Sequence, residues 1–298
     1  MTSRSLLPFR PGDRIVTATR LDPAARYPTG AGAVRQLACD GSLRAEAVTG
    51  ATGLVAGLGL LADGSLLVLD PQARHVARFA ADGTRLPDPD LGGHPFGSML
   101  LLPGGDVLLG EHLCGASGPF AGAGRVHRFT GGLAPLRCYD TQWNGGMAGF
   151  LGVTHMAVSP DGATLYHLSE TGPLLYAHDL MEDRRLGPVF TATTPPGMLF
   201  GLAALPDGDL LVAEGEGLVH LSPAREGTLM PVARYPLPAP GSGRPGWANV
   251  ILRPSGDSVL ALDFHSGRLA EIALATMRLT RLVDLGLPSA LASLVEVP

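Results

Sequence analysis

The chain has 298 residues, 45% of them hydrophobic, which is enough for a sizeable core. Its 41 Gly and 26 Pro break helices every few residues and supply turns, so an all-β chain is expected. The net charge of −5, with 22 basic residues that are all Arg, excludes a basic stripe for a phosphate backbone and any lysine Schiff-base or P-loop chemistry.

The opening Met1-Thr-Ser-Arg-Ser-Leu-Leu-Pro carries a charge but not the apolar segment of a secretory signal, and no apolar run is long enough to span a bilayer. A cytoplasmic protein with neither a membrane nor a nucleic-acid partner is therefore expected. Cys39, Cys114 and Cys138 have no metal-like spacing. In that compartment they read as reduced thiols, with a Cys114–Cys138 bridge as the alternative. Residues 14–18, 33–38 and 43–48 then read as three strands with no inner strand of their own.

Five segments follow on one pattern: an apolar strand, a tight Gly turn and a second apolar strand. They span residues 55–70, 96–111, 153–170, 199–214 and 247–263, with turns such as Ala62-Asp-Gly-Ser, Pro160-Asp-Gly-Ala and Pro206-Asp-Gly-Asp. Asp-Gly between apolar runs is a strong hairpin signal, because Gly adopts positive φ without a Cβ clash. The turns recur every 40 to 60 residues or so, the spacing of four-stranded propeller blades. Two more strand-like stretches follow each pair, for example 74–80 with 85–86, and 268–273 with 278–284. The tail, residues 289–298, resembles an inner strand with nothing after it. Joined to the three N-terminal strands it completes a sixth blade and removes the open edges. The expectation is one domain over residues 1–298, an all-β six-bladed propeller, with no room for a seventh unit.

Ligands of propellers gather at one mouth of the central channel, formed by loops leading into the inner strands and loops leaving the second strands. Aligning the turns places Gly57, Ser98, His155, Gly201, Asn249 and Ser293 in one ring, and Asp70, Glu111, Ser169, Glu214 and Asp263 in a second. Two connections are longer than the rest, residues 111–124 and 140–150, and long loops in a compact repeat are more often functional than accidental. His155 with Glu111, His112 and Glu214 is the candidate acid/base set, and His265 and Asn249 are its companions. Trp143 and Trp247, the two tryptophans, are candidates for stacking on a flat or sugar-like ligand, and Asn144, Thr154, Phe200 and Asp263 complete the candidate binding set. A structural alternative stands beside each. The recurring acids can accept backbone N–H bonds within their turns, His155 can be a channel histidine, and the tryptophans can fill loop cores. His75, His127, His178 and His220 read as surface or blade-packing residues.

The run Val153-Thr-His-Met-Ala-Val-Ser-Pro-Asp-Gly-Ala-Thr-Leu-Tyr and the phrase Phe200-Gly-Leu-Ala-Ala-Leu-Pro-Asp-Gly-Asp-Leu-Leu-Val-Ala resemble the gluconolactonase/senescence-marker-protein family of six-bladed, NHL-like propellers. The resemblance covers about residues 150–275. It implies hydrolysis of lactones or phosphoesters with one divalent cation, such as Ca²⁺, in the channel. The family's ligands are a Glu near the N-terminus, an Asn leading into one inner strand and an Asp leading into the next. Here Thr154 stands at the Asn position, Phe200 at the Asp position, and the N-terminal Glu-Gly-Pro phrase is absent. The expectation is thus the family's fold with no metal at that site. Two functions fit: an enzyme on small organic molecules (a lactone or ester hydrolase, or a lyase or isomerase), or a non-catalytic propeller that binds a small molecule or a protein. The oligomeric state is left open.

Overall fold

A computed structural model describes residues 5–25, 29–115, 122–141, 152–169, 172–194, 197–224, 227–239, 246–286 and 292–298, the side chains of 114 and 115 excepted. Among these, six four-stranded antiparallel sheets and one two-stranded ladder account for all regular structure. No helix among them is long and apolar enough to cross a membrane.

The five repeated turns show why the sequence folds this way. At each, the residue before the turn (Leu61, Leu102, Ser159, Leu205, Arg253) accepts the N–H of the turn glycine and donates its own N–H to the carbonyl that starts the next strand. The glycines Gly64, Gly105, Gly162, Gly208 and Gly256 sit at φ between +72° and +94°, where a side chain would be strained. Asp63, Asp161 and Asp207 lock their turns by accepting the N–H two residues on.

From axis to rim, blade 2 is Gly57–Leu60, Leu66–Asp70, His75–Phe79 and Arg85–Leu86. Blade 3 is Phe96–Leu101, Val107–Glu111, Val126–Phe129 and Pro135–Tyr139; blade 4 is His155–Val158, Thr164–Leu168, Leu174–Asp179 and Arg184–Thr191. Blade 5 is Leu199–Ala204, Leu210–Glu214, Gly217–Pro223 and Leu229–Pro236, and blade 6 is Trp247–Leu252, Ser258–Asp263, Arg268–Ala273 and Arg278–Asp284. Blade 1 is composite: Leu294–Glu296 is its inner strand, and Arg14–Leu21, Gly30–Leu37 and Leu43–Val48 follow outward. The fold is a six-bladed β-propeller closed by the C-terminal strand, as the repeat predicts. The closing strand is shorter than the apolar tail implied, and the first two N-terminal strands are longer.

The buried apolar residues form six layers, one between each pair of neighbouring blades. This explains the near-continuous apolar runs of the second strands, such as Leu66–Asp70, buried along its whole length because both faces meet a neighbouring blade. Glycine lets the inner strands approach one another: a Cβ on Gly57 would lie 2.3 Å from the Gly97 carbonyl oxygen, and one on Gly201 2.7 Å from the Val250 nitrogen.

Closure rests on three residue pairs, Arg14↔Glu296, Ile15↔Val295 and Val16↔Leu294. Three further backbone bonds extend it, from Gly12 N–H to the Val297 carbonyl at 2.9 Å, from Val297 N–H to the Asp13 carbonyl at 2.8 Å and from Thr17 N–H to the Ser293 carbonyl at 3.0 Å. An ion network ties this blade to blade 6. Arg14, 2% exposed, reaches Glu296 at 3.2 Å and Glu271 at 3.0 Å, and Arg253 reaches the same two carboxylates at 2.9 and 2.7 Å.

Candidate functional site

The inner strands surround a channel of about 420 Å³, and at the predicted mouth it meets a second cavity of about 240 Å³. The mouth cavity is built as the repeat implies. Ala56, Thr154, Phe200, Gly246 and Ala292 come from segments leading into inner strands or their first residues, and Gln72, His112 and His265 from segments leaving second strands. Leu54, Leu113, Phe200 and Phe264 give it apolar walls. Thr154 and His155 line both spaces and so stand where the mouth meets the channel.

Of the predicted inner-strand ring, Gly57, Ser98, His155, Asn249 and Ser293 line the channel and Gly201 does not, and much of the ring's polar chemistry joins blades. The Ser98 hydroxyl donates to the Val153 carbonyl at 2.8 Å, and the Ser293 hydroxyl accepts the Leu58 N–H at 3.2 Å. Asn249 faces the channel rather than the mouth cavity, and its Oδ1 is buried with no hydrogen-bond donor among the described residues.

At the cavity, the Thr154 hydroxyl donates to the Leu168 carbonyl at 3.1 Å, which leaves its oxygen to accept from His155 Nδ1 at 3.4 Å. That chain assigns the proton to Nδ1 and leaves Nε2 as the basic nitrogen. Burial, and secondarily the neighbouring His112, push His155 down to about 3, so its ring is neutral near pH 7. His112 is held by its N–H to the Pro95 carbonyl at 2.9 Å, with its side chain against Gly97, where an added Cβ would lie 2.5 Å from its own. His265 packs edge-on against Phe264, ring centres 5.0 Å apart.

The acids expected at the mouth do not line it. Glu111 turns toward the third strand of its own blade, where its carboxylate accepts from Ala123 N–H at 2.8 Å and Arg125 N–H at 3.3 Å and meets His94 and His127. Burial alone would raise its carboxyl; the bonds from His127, Arg125, Ala123 and His94 outweigh that and hold it near 2. Glu214 ties down the Thr193 and Thr194 N–H groups and pairs with Arg234. Asp263, 0% exposed, accepts from the N–H groups of His265 and Ser266 and from the Ser266 hydroxyl. The loop-tying reading of these acids is the one their bonds display, and it corrects the expectation of carboxylates facing a ligand. Trp247 is a second correction: it is wholly buried in the layer between blades 5 and 6, with the Arg268 guanidinium 5.6 Å from its ring centre. Its neighbours Gly246 and Ala248 face the cavity instead, because side chains alternate along a strand. Trp143 and Asn144 lie outside the described residues. Cys39 and Cys138 are free thiols. Sequence reasoning missed Gln72 and Phe264, although both follow the column acids Asp70 and Asp263 within two residues.

Phe200 and Thr154 both line the cavity, and no carboxylate lines it among the described residues.

No family model and no curated protein matches the chain. Solved structures do. A Lactobacillus plantarum protein is 13% identical with a TM-score of 0.63 over 97% of this chain and 100% of its own. A candidate 6-phosphogluconolactonase from Bacteroides fragilis is 13% identical with a TM-score of 0.58, over 96% and 98%. A catalytically inactive histidine-to-alanine virginiamycin B lyase from Staphylococcus aureus, with quinupristin, is 13% identical with a TM-score of 0.52, over 79% and 71%. At these identities the likeness shows the fold.

Proposed function

We propose that this propeller is an enzyme acting on a small organic molecule at the mouth cavity, by lactone or ester hydrolysis or a related lyase or isomerase step. The observation that carries this reading is the meeting of His112, His155, His265 and Thr154 in one apolar-walled cavity at the channel mouth. His155 Nε2 is the proton acceptor, Thr154 sets its tautomer, and His112 and His265 are the donors available to a developing oxyanion. The negative charge that carboxylates do not supply comes from the substrate. An acidic group beside His155 raises its basicity toward neutrality, where proton transfer is efficient.

The test is a panel of chromogenic esters, aldonolactones and carboxylate-bearing lyase substrates, assayed with wild type and His155→Ala. Turnover that falls at least about a hundredfold in His155→Ala, the usual scale for loss of a general base, supports the reading. Saturable binding of panel members without turnover, unchanged in His155→Ala, overturns it. The second reading, a small-molecule binding propeller, draws support from the low basicity of His155 in the free protein.

A further inference from the structure

A second cluster lies on blade 3, and none of its members lines the mouth cavity. His127 on the third strand pairs directly with Cys138 on the fourth and with Leu109 on the second. Glu111 is two residues beyond Leu109, so the pleat sends Glu111, His127 and Cys138 to the same face of the sheet. His94, on the segment leading into the inner strand, closes over them. His94 Nδ1 is 2.7 Å from Glu111 Oε1, His127 Nε2 is 3.2 Å from the same oxygen, and Cys138 Sγ is 3.7 Å from His127 Nε2. The ligand atoms of His94, Glu111 and His127 all lie within 4.8 Å of one another.

We propose that His94 Nδ1, Glu111 Oε1 and His127 Nε2 form a three-ligand site for a borderline-soft divalent cation of the zinc class, with Cys138 beside it but outside the ligand set. Zinc bonds of about 2.0–2.2 Å in a tetrahedron set neighbouring donors roughly 3.3–3.6 Å apart. The His127–Glu111 contact of 3.2 Å is already near that separation, and the His94–Glu111 contact of 2.7 Å, a hydrogen bond in the free protein, opens on binding. Two neutral imidazoles and a carboxylate are the donor set that holds zinc with one position open. A set led by two imidazoles selects zinc over calcium or magnesium. The surroundings also fit. Glu111 Oε2 is occupied by the Ala123 and Arg125 N–H groups, which leaves Oε1 turned to the site. Phe96 packs edge-on against the His127 ring, centres 5.1 Å apart, and fixes its plane. Glu111 is 3% exposed while His94 is 42% exposed and Cys138 is exposed, so the base is rigid and the rim is open to an arriving ion.

Cobalt(II) titration of the reduced full chain reads the site without reference to any catalytic activity. The expected result is saturation at one equivalent, with visible cobalt ligand-field bands that appear on binding. His94→Ala and His127→Ala should each weaken uptake at least about tenfold, while Cys138→Ser should leave it unchanged. His94 is exposed enough that its variant should keep the wild-type melting temperature, and His155→Ala serves as the control that retains the site. Absence of saturable uptake at one equivalent overturns the proposal. So does uptake that both histidine variants leave unchanged.

Discussion

His155 and His167 are the two residues whose protonation separates the folded from the unfolded chain most clearly. Burial pushes each down to about 3, aided by His112 at the first and His178 at the second. Unfolded, both accept a proton near the ordinary imidazole value; folded, they refuse it until far lower pH. Their sign is therefore destabilising in acid: stability is full above about pH 6.5 and falls as pH drops toward 3, by up to about 1.4 kcal/mol per pH unit for each group. Urea midpoints at pH 7 and pH 5 measure this, and His167→Gln should flatten the dependence. His167 is 3% exposed and stacks on Tyr176 away from the cavity, so that variant leaves the site alone. A second expectation follows for the mouth. If an anionic ligand restores the basicity of His155, binding takes up a proton. Calorimetry in two buffers of different ionisation enthalpy should then give different apparent enthalpies, and the difference should vanish in His155→Ala.

Single elements were legible in the sequence wherever their chemistry was local. The Gly turns announced five hairpins because positive φ is a property of one residue. Gly208, at φ +94° with open space where a Cβ would stand, isolates that term. Gly208→Ala should cost about 1–2 kcal/mol from backbone strain alone, read as a lower urea midpoint at constant slope. Gly162→Ala, in a distant turn with the same open surroundings, should add to it. The direction of a residue at a strand end is not local. Glu111, Glu214 and Asp263 stand where a strand stops, and whether they face the mouth or the next loop depends on which N–H groups those loops present. The blade 3 cluster needed one more step than the repeat supplied. His127 stands three residues before the Thr130-Gly-Gly-Leu-Ala turn and Cys138 four after it, and only the register shift between Arg128 and Phe129 sets them opposite each other.

At the scale of the whole molecule, the ring holds because both chain ends meet in blade 1. The short register there is reinforced by the Arg14, Arg253, Glu271 and Glu296 network, and Arg14 is almost fully buried. Removing a carboxylate from a buried pair strands the opposite charge. Glu296→Ala should therefore cost on the order of 3 kcal/mol, visible as a lower melting temperature, although the fold's six apolar layers are untouched. Amide exchange should rise first at Val16 and Leu294, and only later in blades 3 to 5.

The close approach of the inner strands makes each blade a wedge, thin at the axis where glycines touch and thick at the rim where long side chains fill the layers. An arch of such wedges fixes its own span: the taper, more than any single contact, sets how many units complete the circle and how wide the opening at its centre remains. A methyl group on Gly57 or Gly201 blunts one wedge at its thin end. The misfit cannot stay local in a closed arch, and it collects at the three-residue seam between the chain's first strand and its last.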